Sequence, residues 1–351
     1  MNETIKREEE IDKIINDFNS KYSGKIVNVC PTMRSLYLDE IDIYTFCCVG
    51  AKSIPRIGPV NDFMPKFTKE YYVKRYMKCF EELQSSACDI CSNCVYLHKE
   101  IFTPINYQDF HLINIGFGLF EKCNIHCVYC GEAPRNYSNV IDMRKVLDRL
   151  ISEDLVGPET QLILANGEPT IHKYFEDLLT RAFKMNMRIQ VRSNGVVFHN
   201  LLYQYLKSDK VCINISIDSG TRETYLKIKR AERFDVVWEN IKKYCETGGD
   251  VQIKYIIFSY NSSREELNTF VHKCLEANVN HVIISAELRS LRKKMECEWE
   301  FEEKEYEAIY YLNELCKQNN IHVDSELYFT LEEQAKRFKA VKRLLLENKT
   351  I

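Results

Sequence analysis

Gln161-Leu162-Ile163-Leu164-Ala165-Asn166-Gly167-Glu168-Pro169 decides how this chain folds, because a short apolar run stops abruptly at a polar, glycine-containing turn. Such a run, bounded by turn residues, reads as a buried strand. Beyond it, Phe175, Leu178, Leu179, Ala182 and Phe183 recur at helical spacing, as do Val146, Leu147, Leu150, Ile151 and Leu155 ahead of it. Strand and amphipathic helix together make a β/α unit, and the alternation repeats, with strands predicted over 111–118, 161–165, 188–192, 211–217, 251–258 and 281–285. Six units with right-handed crossovers predict an α/β fold whose parallel sheet curls into a partial (β/α)6 TIM-like barrel. An open doubly wound sheet has the same periodicity.

Chemistry in such a barrel belongs at the carboxyl ends of the strands, and the sequence places polar or glycine-containing signals there repeatedly. The first strand runs into Cys123-Asn124-Ile125-His126-Cys127-Val128-Tyr129-Cys130. The second ends in Asn166-Gly167-Glu168-Pro169, the third in Ser193-Asn194-Gly195, and the fourth in Ser216-Ile217-Asp218-Ser219-Gly220. Three thiolates in one loop can hold an iron–sulfur cluster while leaving one iron for a further ligand, whereas electron-transfer clusters usually take four cysteines.

With 351 residues and 45% hydrophobic content, the chain has room for a large globular domain and a smaller one. A net charge of -3 gives no bulk attraction to nucleic acid or anionic membrane. No apolar run approaches the ~20 residues of a membrane span. Residues 1–20 are polar and acidic, unlike a signal peptide, so the 15 cysteines read as reduced thiols in the cytoplasm, serving metals rather than disulfides. Cys212, Cys245, Cys274, Cys297 and Cys316 stand singly and read as small core hydrophobes.

The organisation expected from the sequence is an amphipathic helix over 1–25, a small Cys-rich α+β domain over 26–104, the barrel over 105–290 and a helical tail over 291–351. Ile11, Ile14, Ile15, Phe18 and Tyr22 form the apolar stripe of the first helix, with Gly24 closing it. The small domain holds short strands around 26–29 and 41–46, cysteines at 30, 47 and 48, a helix with Tyr72, Tyr76, Cys79, Phe80 and Leu83, and then Cys88, Cys91 and Cys94.

The C-x3-C-x2-C spacing of Cys123, Cys127 and Cys130, with Tyr129 before the last cysteine and the strand-end motifs in order, resembles the radical S-adenosylmethionine (radical SAM) superfamily over roughly residues 110–290. The resemblance implies a 4Fe–4S cluster on the three thiolates, whose open iron binds SAM. Reductive cleavage of SAM then gives a 5'-deoxyadenosyl radical that abstracts hydrogen from a substrate. It also implies a low-potential donor such as flavodoxin or ferredoxin. Asn166 to Pro169 are similar to the family's Gly-Gly-Glu-Pro motif, with asparagine for the first glycine, so Asn166, Gly167, Glu168 and Pro169 become candidates for the SAM ammonium. Ser193, Asn194 and Ser216 resemble the family's contacts to the SAM ribose and carboxylate, Asp218 sits in the matching Ser-x-Asp position of the cofactor site, Arg230 is the candidate for the carboxylate, and Tyr129 for adenine.

The earlier cysteines resemble a SPASM-type auxiliary cluster module, displaced to the amino-terminal side of the barrel and with Asp39 and Glu40 where a turn is expected. Cys30, Cys48, Cys88 and Cys91 would hold a second 4Fe–4S cluster, with Cys47 and Cys94 as rival ligands; the same thiolates also suit zinc. By analogy this predicts a two-electron oxidation or cross-linking enzyme. The short segment ahead of Cys30 tilts the expected substrate from a peptide toward a small molecule such as a sugar or aminocyclitol derivative. The competing expectation is a non-catalytic metal-binding or redox-relay protein with structural zinc or iron–sulfur sites.

Overall fold

The structure, a computed structural model, describes residues 3–39, 44–45, 64, 67–85, 96–119, 122–130, 141–287 and 303–326. Cys47, Cys48, Cys88, Cys91, Cys94 and Glu40 lie outside the described residues, and so does Cys297. Two compact units divide the chain: 1–118 with 138–163 and 180–188, and 119–137 with 164–179 and 189–351.

The first unit begins with helix α1 (Glu3–Tyr22), strands β1 (Ile26–Val29), β2 (Ser35–Asp39) and β3 (Tyr44–Thr45), helix α2 (Lys69–Gln84) and strands β4 (His98–Ile101) and β5 (Asn114–Gly118). The apolar stripe of α1 finds its partner in α2: Tyr22 and Phe18 lie 5.0 and 5.3 Å from the ring of Phe80, and Phe102 joins them. Aromatic pairs of this kind add about 0.5–1.5 kcal/mol beyond their burial. β1 and β4 form an antiparallel ribbon from Ile26↔Ile101 to Val29↔His98. Lys69, at the start of α2, is buried and donates to the Gln108 carbonyl at 2.8 Å and to Asp154 at 2.6 Å.

β2 adds to the reading of the Cys-rich segment. Strands were expected near 26–29 and 41–46, where β1 and β3 lie, and between them Ser35–Asp39 is a further strand that pairs in parallel with β5 and antiparallel with β3. Its alternation explains this, for Leu36 and Leu38 are buried while Tyr37 is half-buried. The segment therefore contributes a strand to the main sheet as well as cysteines.

The later elements are α3 (Met143–Ser152), β6 (Gln161–Ala165), α4 (Phe175–Lys184), β7 (Arg188–Ser193), α5 (Asn200–Tyr205), β8 (Val211–Ser216), α6 (Arg222–Lys229), α7 (Phe234–Cys245), β9 (Asp250–Ile256), α8 (Arg264–Glu276), β10 (His281–Ser285), α9 (Glu303–Gln318) and β11 (His322–Glu326). All six expected β/α strands are present. The hydrogen-bonded order is β11-β10-β9-β8-β7-β6-β5-β2-β3, following the chain from β5 to β11 without reversal. A doubly wound sheet reverses its order at a switch point. The fold is therefore the singly wound α/β arrangement expected of a partial barrel, and the described strands do not close into a ring. The carboxyl-terminal segment departs from the helical tail expected over 291–351: α9 is followed by β11, which pairs in parallel with β10 from His322↔His281 to Glu326↔Ser285.

In the second unit the sheet has two unlike faces. Val211, Ile213 and Ile215 of β8, Val251, Ile253 and Tyr255 of β9 and Val282 and Ile284 of β10 are all buried. On that side Tyr255 meets Phe270 of α8 at 4.6 Å, and Phe270 meets Trp238 of α7 at 6.1 Å. The opposite face carries Arg192, Asn214, Lys254 and Glu326. Lys254 Nζ donates to Glu326 Oε2 at 2.5 Å, and Arg192 lies 4.0 Å from the other carboxylate oxygen. Burial pushes the Glu326 carboxyl up, but the Lys254 and Arg192 charges outweigh it and hold the group below its ordinary value. Its stabilising contribution is therefore complete above about pH 4.5 and is lost as pH falls through the lowered folded value. Thermal melts of the cluster-free protein should show this acid loss, and Glu326→Gln should reduce its slope with pH. No helix of the described residues is long and apolar enough to cross a membrane.

Candidate cofactor site at the strand ends

The Cys123 to Cys130 loop is held by backbone pairing within the second unit. His126 and Val128 donate to the carbonyls of Lys229 and Ile228 at 3.3 and 2.9 Å, which docks the loop on the last turn of α6. On its other side, Glu168 N donates to the Lys122 carbonyl at 2.7 Å, and Leu119 N to the Ala165 carbonyl at 2.8 Å. The cysteine loop is thus fixed between the turn after β6 and the end of α6. Cys123 and Cys127 are half-buried and Cys130 is exposed. Burial pushes the Cys123 and Cys127 thiols up, and for both the neighbouring cysteine charges add to the effect, whereas the Lys229 ammonium pulls Cys127 back down.

The turn after β6 explains why asparagine stands where the family has glycine. Asn166 and Gly167 both lie in the left-handed region, at φ 62° and 51°. Asparagine is among the few side chains that tolerate it. At Gly167 none can, because a Cβ would stand 2.2 Å from the Leu119 carbonyl oxygen and 2.6 Å from that of Lys122. Gly167→Ala is expected to lose more than the roughly 1–2 kcal/mol of the backbone conformation alone, since the clashing atoms are backbone. Asn166→Gly should leave stability close to wild type. Denaturant unfolding of the pair measures the contrast.

Glu168 is fully buried and its carboxylate is well supplied with donors. Oε1 accepts from Thr170 N, Thr170 Oγ1 and Ser193 Oγ at 3.1, 2.7 and 2.8 Å, and Oε2 accepts from Asn194 N at 2.7 Å. Burial nevertheless raises its pKa, with these hydrogen bonds opposing. The side chain ties the end of β6 to the end of β7. Pro169 opens the short 3-10 turn that follows. Asn194 continues the linkage, donating to Asn124 Oδ1 at 2.7 Å and lying 3.9 Å from the Cys123 sulfur. Ser193, Asn194 and Glu168 thus converge on the cysteine loop. Ser216, the half-buried last residue of β8, shares the Lys254 face of the sheet.

Asp218 is also fully buried, but it faces a partner that sequence reading missed. Its Oδ2 accepts from Lys229 Nζ and, at 2.7 Å, from Tyr129 Oη; Lys229 also donates to Tyr129 Oη at 2.7 Å. Oδ1 accepts from Ile256 N at 2.8 Å. Burial, the Asp218 charge and Cys127 push the Tyr129 phenol well up, so it stays a protonated donor. The Tyr129 ring stacks on Phe258 at 5.5 Å, and Phe258 stacks on Tyr260 at 5.2 Å. Arg230, the expected basic residue, is instead exposed at the C-cap of α6 with φ 53°. Lys229, one position earlier, is the buried basic residue of α6. In the run Lys227, Lys229, Arg230, helical phase toward Tyr225 and Ile228 was the available signal, because Tyr225, Ile228 and Lys229 are the buried residues of α6.

Supporting side chains hold the two loops beyond the strands. Asn261 donates to the Asp218 carbonyl at 3.0 Å and the Ile256 carbonyl at 2.8 Å. Glu266 accepts from Gly220 N, Thr221 N and the Thr221 and Thr224 hydroxyls. Asn240 donates to the Gly195 and Val196 carbonyls. These residues are remote in sequence from the motifs they serve, which hid them from pattern reading.

In the first unit, Cys30 is half-buried, with its sulfur 3.1 Å from Thr32 Oγ1. A cavity of about 440 Å³ lined by Cys30, Arg34, Tyr76, His98, Glu100 and Phe110 lies beside it.

A singly wound α/β sheet with three thiols in the loop after one of its strands gathers candidate metal ligands at the strand ends. The Radical SAM superfamily model matches residues 118–274, and the chain carries a domain of that superfamily, whose members use a 4Fe–4S cluster and SAM. Among curated proteins it is similar to the molybdenum cofactor biosynthesis protein moc-5 of Caenorhabditis elegans, 28% identical over 46% of this chain and 28% of that one. It is also similar to a probable GTP 3',8-cyclase of Saccharolobus islandicus, 26% identical over 47% of this chain and 53% of the other. The chain thus matches about half or less of the length of these relatives. Among solved structures, Streptococcus suis SuiB bound to its precursor peptide SuiA matches at TM-score 0.48 and 14% identity, over 87% of this chain and 72% of that one.

Proposed function

We propose that this protein is a radical SAM oxidoreductase that cleaves SAM reductively and abstracts hydrogen from a polar substrate. The observation that carries this reading is the convergence of Cys123, Cys127 and Cys130 with the Glu168 clamp and the buried Lys229–Asp218–Tyr129 cluster. The residues present fit the cofactors. Three thiols share one loop, and the buried Tyr225 hydroxyl has no hydrogen-bond partner among the described residues although it feels the Cys127 and Asp218 charges. A cluster or its ligand would supply the missing acceptor. When bound, the cluster and SAM supply an electron and a 5'-deoxyadenosyl radical.

The chain's own residues have distinct tasks in this reading. Cys123, Cys127 and Cys130 hold the cluster, and Lys229 lowers the cost of a thiolate at Cys127. Asn166, Gly167, Glu168 and Pro169 shape the turn that receives the SAM ammonium, Glu168 chiefly by joining strand ends. Ser193, Asn194, Ser216 and Asp218 line the remaining SAM contacts, and Tyr129 with Phe258 offers a flat aromatic surface to adenine. Lys229 replaces Arg230 as the basic residue of the site. The radical SAM core spans 105–290, flanked by an amino-terminal helix over 1–25, an auxiliary segment over 26–104 and a final segment over 291–351. Cys30, with Cys48, Cys88 and Cys91 and the rivals Cys47 and Cys94, holds the auxiliary cluster.

Arg192, Asn214, Lys254 and Glu326 support a polar substrate. Barrel interiors are ordinarily filled by branched aliphatic side chains. Lys254 precedes Ile256, which contacts Asp218, by two residues, about 7 Å along the strand. A sugar-like or aminocyclitol substrate would suit this face, and so would a polar peptide side chain. A flavodoxin or ferredoxin in the cytoplasm would supply the electron.

Anaerobic purification tests this reading. The enzyme should be brown, carry about eight irons per chain if both clusters form, and release 5'-deoxyadenosine only with reductant. A colourless zinc protein without cleavage would instead identify a structural or relay protein.

A further inference from the structure

At the amino ends of the last three strands of the second unit lies a cluster that the proposed reaction does not use. β9, β10 and β11 begin with Asp250, His281 and His322. The parallel register makes His281 and His322 Cα partners, and Asp324, two residues further along β11, returns to the same face. The donor atoms of His281, His322 and Asp324 all lie within 4.8 Å of one another. Both histidines aim Nε2 at one carboxylate: His281 Nε2 is 2.9 Å from Asp324 Oδ2, and His322 Nε2 is 3.3 Å from Asp324 Oδ1. The two rings meet edge to face at 4.8 Å.

The second ring nitrogen of His281 supplies an independent observation. Nδ1 lies 3.6 Å from Asp250 Oδ1, so the imidazole is held between an inner and an outer carboxylate. Histidines that ligate metals usually turn their other nitrogen toward a carboxylate, which fixes the tautomer and raises basicity. We propose that His281, His322 and Asp324 form a binding site for a divalent transition metal ion, zinc by ligand chemistry, with Asp250 orienting His281. Two imidazoles and a carboxylate suit zinc, and two aspartates with neutral histidines balance a dication. His322 and Asp324 are more than half exposed, at 67% and 56% of the side chain, which leaves a coordination position for water. Placed at the strand ends away from the cysteine loop, the ion clips β10 to β11 and stiffens the sheet that carries Lys254 and Glu326.

Zinc titration of cluster-reconstituted protein, with the cluster cysteines occupied, tests the site in parallel with His322→Ala and Asp250→Asn. Wild type should bind one zinc per chain at micromolar concentration or below, with a rise in melting temperature. Asp250→Asn should weaken binding about tenfold, and His322→Ala should weaken it further and abolish the thermal shift. Cobalt in place of zinc should show ligand-field bands without thiolate charge transfer. Equal zinc binding by wild type and His322→Ala, thiolate bands with cobalt, or no binding at tens of micromolar zinc would each overturn the proposal and leave a histidine–aspartate ion pair. His322 is exposed and β11 is bonded through its backbone, so the alanine variant folds. 5'-Deoxyadenosine release, which reports on the cysteine loop, should be nearly unchanged in that variant.

Discussion

Cys127→Ala is expected to bring 5'-deoxyadenosine formation down to the level of the enzyme-free control and to lower bound iron by about four per chain. The size of the effect follows from where the thiol sits. Cys127 lies between Cys123 and Cys130, in the part of the loop that His126 and Val128 dock on α6, so no other described thiol can take its place without moving the loop. Burial disfavours its thiolate, and Lys229 offsets part of that cost. An alanine removes the ligand while the backbone pairing of the loop remains. Far-UV circular dichroism should therefore match wild type, separating loss of chemistry from loss of fold. Iron bound at the auxiliary cysteines should persist, and this residual iron distinguishes failure of the barrel site from failure of the whole preparation. Full cleavage activity in Cys127→Ala would refute the assignment of the cluster to this loop.

Sequence reading reached the main parts of this site because they are local in the chain. The three cysteines sit in one loop, and the Asn166–Glu168, Ser193–Asn194 and Ser216–Asp218 motifs each end a strand whose period-two or continuous apolar pattern is plain. Parallel order then brings those ends together. What the sequence left unread depended on phase or on pairing across distance. Lys229 and Arg230 differ by one position, about 100° around a helix, and only packing of α6 against the cysteine loop determines which turns inward. β11 is polar, His-Val-Asp-Ser-Glu, and as the end strand of the described sheet it lacks the apolar signature that marked the central strands. β2 was masked by its cysteine-rich neighbourhood, although Leu36 and Leu38 alternate as a strand requires. Residues such as Asn261 and Glu266 act at 43–46 residues' separation on backbone groups, including the Asp218 carbonyl 43 residues away, and no local pattern announces them.

Lys229→Met is expected to destabilise the cluster-free protein by about 3–5 kcal/mol, and Asp218→Leu by a similar amount, while the double variant should recover much of the loss. Both partners are essentially inaccessible, at 1% and 0% of the side chain, so either single change leaves an uncompensated charge where water cannot reach it. The Coulomb gain of such a pair is offset by desolvation, which is why removing both charges costs less than removing one. Asp218 adds an asymmetry, since its Oδ1 also accepts from Ile256 N, and the leucine leaves that amide without its partner. Recovery in the double variant should thus be incomplete. A double-mutant cycle by denaturant unfolding gives the coupling energy. Iron content gives a second, independent reading of the same pair. Asp218 raises the Cys127 thiol and Lys229 lowers it, so Lys229→Met should deplete the barrel cluster beyond what its stability loss explains, whereas Asp218→Leu should not. If both single variants lost iron only in proportion to stability, Lys229 would be a core ion-pair partner with no bearing on the cysteine loop; a larger iron loss in Lys229→Met alone makes it the positioning charge of the site.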